Sequence, residues 1–195
     1  MRFLIRLSNK GKYTPADRKR LTTAAYEAVR GLGADVGNLR VSSSAVEFDL
    51  LLDSKESMDN AVKVLEKEIG AALTVRELDI ESTAQVGSED AIRLGLKLFN
   101  DERYWESHEA LEIAWRRFTG PEKEVLQGII LTAAALVHLQ KNEPDVALSV
   151  LQRGYAKLAV SQGTHFGVDI SALKREIDSM LSSGHPIFFK IVAWG

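Results

Sequence analysis

The feature that most constrains the fold is a change of hydrophobic period near residue 80 of the 195-residue chain. Before it, short runs of strand-like alternation are interleaved with helical spacing. After it, only the helical spacing continues until the last residues. "RFLIRL" (2–7) is rich in strand formers, and 14–33 reads as a helix with Thr14 as N-cap, Pro15 at the first helical position and Gly33 at the end. "NLRVSSSAVEFDLLLD" reads as two strands around a Ser-rich turn. In the second, Val46, Phe48, Leu50 and Leu52 alternate with Glu47 and Asp49, as a half-buried strand requires. Helix 54–70 turns Met58, Ala61, Val62, Leu65 and Ile69 inward, and 72–80 is a last strand. The order β-α-β-β-α-β predicts a ferredoxin-like domain over 1–80, with the first and third strands as central neighbours. Arg2 and Arg6 then face Glu47 and Asp49 on the open side of the sheet. RNA-binding sheets of this topology stack bases on central-strand aromatics. Acids at that place repel phosphate, so no nucleic-acid partner is expected.

"ESTAQVGSE" is the polar break, giving a linker over 81–88 and a helical bundle over 89–195. Within the bundle the pattern predicts helices at 89–100 with Ser88 as cap, 103–118, 121–141 from Pro121, 144–161 from Pro144, and 170–181 after an Asp169 cap. The whole is therefore α+β: a ferredoxin-like domain followed by an all-α bundle. Helix pairs of roughly 30–34 residues give the bundle a tetratricopeptide-like look, with fewer than the three repeats an array needs. The tail, "HPIFFKIVAWG", carries Ile187, Phe188, Phe189, Ile191, Val192 and Trp194 and is too apolar to stay in water. It is expected to cover a domain face, or a partner subunit in a homo-oligomer.

Charge excludes little else. There are 25 basic and 27 acidic residues, a formal net charge of −2, so no global field invites nucleic acid or anionic membrane. No apolar run reaches the roughly 18 residues that cross a bilayer. The chain has no cysteine, which removes thiol catalysis, disulfides and thiolate metal sites, and fits a reducing cytoplasm.

The stretch that carries candidate chemistry is "YWESHEALEIAW" (104–115). On a helical wheel Tyr104, Trp105, His108, Glu112 and Trp115 share one arc of roughly 100°, with Glu109 at its edge and Glu106 on the opposite side. That arc is expected to face inward or to line a cleft. In the next helix Gln127, Leu131, Ala134 and His138 form one stripe. If the turn between them makes the two helices antiparallel, Glu112 lies level with Gln127 and Gly128, and His138 lies near Tyr104 and Glu102. Three readings stand: a buried polar network, a small-molecule pocket walled by Trp105, Trp115 and His108, and a metal site. Metal is disfavoured. The His-Glu-x-x-His pattern fails at Glu112, and Gln127 and His138 lie about 16 Å apart along the axis. No cofactor motif is present. Catalysis would use His108 as general base with Glu109 or Glu112 orienting it, but Ser107 points away from His108 and no nucleophile is evident. His165 and His185 fall in loops. The balance favours a non-catalytic protein that binds a small molecule or a protein partner.

Phe99, Asn100, Tyr104, Trp105, His108, Glu109, Glu112, Trp115, Gln127, Gly128 and His138, in "LFNDERYWESHEALEIAW" and "LQGIILTAAALVHLQKNEPDVALSVL", carry a family resemblance. The segment from about 92 to 158 resembles a small helical family known as domain of unknown function 309. The resemblance implies a compact helical bundle and implies no activity.

Overall fold

The structure is a computed structural model and describes residues 1–78 and 87–191. Its contacts divide it into two compact units, one built mainly from Met1–Ser82, the other mainly from Thr83–Leu139 and Glu143–Gly195. Most of the expected linker, residues 81–86, lies outside the described residues, as do 79–80 of the last expected strand and Val192 and Trp194 of the tail.

The first unit holds β1 (Arg2–Ser8), α1 (Arg18–Val29), β2 (Ala34–Val41), β3 (Ala45–Leu52), α2 (Met58–Glu68) and β4 (Ala72–Glu77), with a short 3-10 turn leading into each helix. The strands form one antiparallel sheet in the order β2-β3-β1-β4, the ferredoxin-like arrangement, with β1 and β3 central. Thr14 and Asp17 form a capping box ahead of α1, and Pro15 opens the 3-10 turn as its fixed φ favours. The alternation of β1 and β3 sends Phe3, Ile5, Leu7, Val46, Phe48, Leu50 and Leu52 into one core with Leu21, Ala25, Val29, Ala61 and Leu65 of the two helices.

The other face of the sheet departs from expectation. Glu47 and Asp49 are not open to water: they are 7% and 2% exposed, and Arg40, beside them on β2, is 2% exposed. Buried charges persist only when matched. Arg2 Nη2 lies 2.6 Å from Asp49, Asn38 Nδ2 donates to the same carboxylate at 2.7 Å, and Arg40 Nε donates to Glu47 at 2.9 Å. A bulge between Gly37 and Arg40, where Asn38 takes a left-handed φ of 51°, brings Asn38 and Arg40 to these partners. The sequence points to Arg2 and Arg6 as the basic residues facing these acids; the structure adds Arg40.

The second unit holds α3 (Ser88–Asn100), α4 (Tyr104–Trp115), α5 (Gly120–Gln140), α6 (Pro144–Leu158), a hairpin of two-residue strands β5 (Thr164–His165) and β6 (Val168–Asp169), and α7 (Ile170–Ser183). The hairpin was not expected: two-residue strands carry no alternation to read. Ser88 is the first residue of α3, not its cap, which is Gly87. Asp169 does cap α7, accepting from Ala172 N–H at 2.9 Å. α5 runs through the core, with Val125, Leu126, Ile129, Ala133 and Leu136 all fully buried.

Two glycines set the helix spacing. A Cβ at Gly95 would lie 2.5 Å from Leu111 Cγ, which brings α3 against α4. A Cβ at Gly128 would lie 2.6 Å from Leu158 Cγ and 3.2 Å from the Gly154 carbonyl. Gly128 therefore admits α6, not α4 as the level-matching suggested.

Candidate functional site

α3 and α4 form a tight antiparallel pair joined by Asp101–Arg103, with Glu102 at a left-handed φ of 58°. Phe99 meets Tyr104 near the turn, and Gly95 meets Ser107 and Leu111 further along. This pairing decides which side of "YWESHEALEIAW" is inside. The buried residues of α4 are Tyr104, Glu106, Ser107, Ala110, Leu111 and Ala114. The expected inward arc is thus turned by roughly a third of a revolution. Small residues, not aromatic bulk, define the packed face: Ser107 donates to the Gly95 carbonyl at 2.8 Å, and Ala110 and Ala114 keep the backbones close.

Two glutamates exchange the roles their wheel positions suggest. Glu106, expected outside, is buried and held by both ends of Arg103, Nε at 2.6 Å and Nη2 at 2.7 Å. Glu112, expected to pair with Gln127, is 38% exposed at its side chain. It lies 3.5 Å from His108 Nε2 and 3.8 Å from Arg116 Nη2, a loose ladder along its own helix. Among the described residues Glu112 and Gln127 share no hydrogen bond. The whole stripe of Gln127, Leu131, Ala134 and His138 is the half-buried flank of α5. His138 is bound through Nδ1 to Glu143 at 2.7 Å, across the turn into α6, and does not sit with Tyr104.

The expected cluster therefore separates into three groups. Tyr104 belongs to an aromatic core with Phe99, at 5.0 Å between ring centres. Trp105, His108, Glu112 and Trp115 form a half-buried outer face of α4, with Glu109 exposed at its margin. Gln127 and His138 lie on α5. On the outer face Lys123 Nζ sits 4.2 Å from the centre of the Trp115 ring, a cation–π contact, and the Trp115 Nε1 is buried with no hydrogen-bond partner. Burial, and next the charge of Glu102, hold the Tyr104 phenol well above its ordinary range. Its hydroxyl too is buried without a partner.

The chemistry this permits is limited. His108 and Glu112 are a histidine–carboxylate pair at the edge of hydrogen-bond reach. Ser107 is buried and already bonded to Gly95, so it offers them no nucleophile. Among the described residues no three His, Asp or Glu side chains gather as a metal site would need. His165 is held by Ser161 Oγ at 2.7 Å and the Gln162 carbonyl at 3.2 Å, and His185 bonds Ser183 within its own turn. Two clefts lie in the first unit. One, of about 380 Å³, is lined by Tyr26, Arg30, Asp35 and Asp53 among others. The other, of about 590 Å³, is lined by Lys10, Lys63, Glu66 and Lys67 among others. Neither was signalled by any motif. No described helix is long and apolar enough to cross a membrane.

No curated protein matches the chain. The segment that holds α4, most of α3, all of α5 and the first half of α6 does find a family: residues 92–150 match the model described as Domain of unknown function (DUF309), the family the segment resembles.

Proposed function

We propose that the protein is a non-catalytic interaction module that offers the outer face of α4 to a protein partner. One observation carries this reading: Trp105 and Trp115 pack on the core yet stay partly exposed on the same face as the loose His108–Glu112–Arg116 ladder. Tryptophan is the residue most enriched among interface anchors, and partly hydrated charges around it form the rim such anchors need. The face runs along roughly 15 Å of helix. That extension suits a protein surface better than a small ligand, whose sites are concave and convergent. The enzyme alternative, with His108 as base and Glu109 or Glu112 as orienting group, has less support. Glu109 stands apart in water and the nearest hydroxyl, Ser107, is spent on Gly95. The first unit, with its sheet-face acids already matched by arginines, is read as a second protein contact, not as a nucleic-acid platform. A cysteine-free chain fits a cytoplasmic setting.

The test compares the intact protein with Trp105→Ala and His108→Ala as baits. A partner retained by the wild type and lost by Trp105→Ala, with melting behaviour preserved, is the expected outcome. Retention unchanged in both variants overturns the reading. So does turnover of simple ester, amide or phosphoester substrates that His108→Ala abolishes.

A further inference from the structure

After α7 the chain turns at Gly184, in the left-handed region at φ 69°, and runs without helix or strand through the last described residue, Ile191. It returns across the α3–α4 turn. Phe188 stacks on Tyr104 with ring centres 5.9 Å apart and planes 26° apart. Phe189 meets the edge of Phe99 at 5.5 Å. Ile191 is 4% exposed. Its N–H donates to Asn100 Oδ1 at 2.8 Å, and its carbonyl accepts from Asn100 Nδ2 at 3.0 Å. Asn100 thus reads the main chain of one residue through both its polar groups, while the rings beside it read side chains. Main-chain bonds for affinity and pockets for specificity are the two halves of peptide recognition.

Ahead of Phe188 the segment is lightly tied. Ile187 is 56% exposed and its N–H meets only Met180 Sδ, at 3.4 Å. His185 and Lys190 are exposed. With Phe188 in place, the Tyr104 hydroxyl stays buried and unpaired, so the resident segment does not use every group the slot offers.

We propose that the slot formed by Phe99, Asn100 and Tyr104 is a docking site for an extended peptide with two adjacent aromatics and an aliphatic residue two places on, and that residues 188–191 fill it as a displaceable strap. The site is distinct from the outer face of α4 and does not depend on that face binding anything. It implies a partner that presents the same aromatic–aromatic–x–aliphatic pattern and competes with the strap.

The test uses the full chain. Phe188→Ala with Phe189→Ala empties the slot, and a labelled synthetic peptide of residues 185–191 is titrated by fluorescence anisotropy. Saturable binding is expected, at least about tenfold tighter than to the wild type, whose strap competes. Adding Asn100→Ala should weaken it by about tenfold or more. Absence of saturable binding, or indifference to Asn100→Ala, overturns the proposal. So does a double variant that no longer melts cooperatively, since the tail would then be core and not strap. Hydrogen exchange on the wild type needs no substitution: the Ile191 amide should exchange at least about tenfold faster than those of Leu96 and Leu111, and equal rates overturn the idea. Wild-type dimers that dissociate on Phe188→Ala would assign the slot to a second copy's tail and equally sink the partner peptide.

Discussion

Replacing Glu106 should cost far more than replacing Glu112, although only Glu112 lies in the cluster that the sequence singles out. Glu106 is 6% exposed at its side chain and accepts two charge-assisted hydrogen bonds from Arg103, which is 25% exposed. Such bonds contribute roughly 1.5–3 kcal/mol each. Removing one partner of a fully buried pair costs roughly 3–5 kcal/mol. Arg103 regains part of its hydration, so Glu106→Ala should cost about 2–4 kcal/mol. Glu106→Gln, which keeps the shape and one acceptor, should cost about half as much. Glu112 is a different case. Its partners lie 3.5 and 3.8 Å away on its own helix and it is 38% exposed. Pairs of that kind contribute roughly 0.3–0.5 kcal/mol each, so Glu112→Ala should cost about 1 kcal/mol or less.

Urea unfolding followed by tryptophan fluorescence reads this selectively. Trp105 and Trp115 both belong to the second unit, and the third tryptophan, Trp194, lies outside the described residues. The midpoint should fall clearly for Glu106→Ala and barely for Glu112→Ala, with the slope unchanged in both. A Glu112→Ala loss as large as that of Glu106→Ala would refute the reasoning and return Glu112 to a buried network.

Two further outcomes follow from the same unit. Gly128→Ala gains about 1 kcal/mol of helix propensity but sets a methyl 2.6 Å from Leu158, which is fully buried, and overpacking costs roughly 1–3 kcal/mol. It should lower the urea midpoint, while Gly154→Ala, whose nearest neighbours lie at 3.2–3.5 Å, should lower it less; a stabilising Gly128→Ala would contradict the packing. Tyr104 ionises in the unfolded chain near pH 10 but at a higher pH in the folded one, so its contribution is intact below about pH 10 and is lost as pH rises above it, by up to roughly 1.4 kcal/mol per pH unit. Tyr104→Phe should remove that part of the alkaline loss between about pH 8 and pH 11 without lowering stability at neutral pH; identical alkaline slopes would count against it.

What the sequence disclosed divides along physical lines. The sheet was legible because Val46, Phe48, Leu50 and Leu52 alternate strictly, and a one-residue slip would have moved all four to the wrong face. The helices were legible because Pro15, Pro121, Pro144 and Asp169 mark their starts. The inner face of α4 was not. Grouping Trp105, His108, Glu112 and Trp115 with Tyr104 on one arc put the inner face in the wrong place, whereas the signal was the smallness of Ser107, Ala110 and Ala114 opposite Gly95. Arg40 escaped notice because a bulge at Asn38 shifts its register, and bulges leave little trace in sequence. The tail was recognised as a segment that must dock, but its seat was not, because the Asn100 side chain binds main-chain groups of Ile191 that every non-proline residue carries.

A strap that fills its own docking site changes the sign of ordinary mutational logic. An external peptide binds only the open fraction, so its apparent dissociation constant is the intrinsic one divided by that fraction. If the strap is open about 1% of the time, affinity is masked about a hundredfold. Substitutions in the slot and in the strap then diverge. Asn100→Ala weakens both occupants together, so it lowers stability and external binding alike. Phe188→Ala weakens only the resident one, so it lowers stability slightly and raises external affinity. Tyr104 is the group on which the two occupants differ most. Phe188 leaves its hydroxyl unpaired, and a competitor that brings an acceptor there gains what the strap forgoes. Such a competitor would bind Tyr104→Phe less well than the wild type, even though the strap itself would sit in that variant undisturbed.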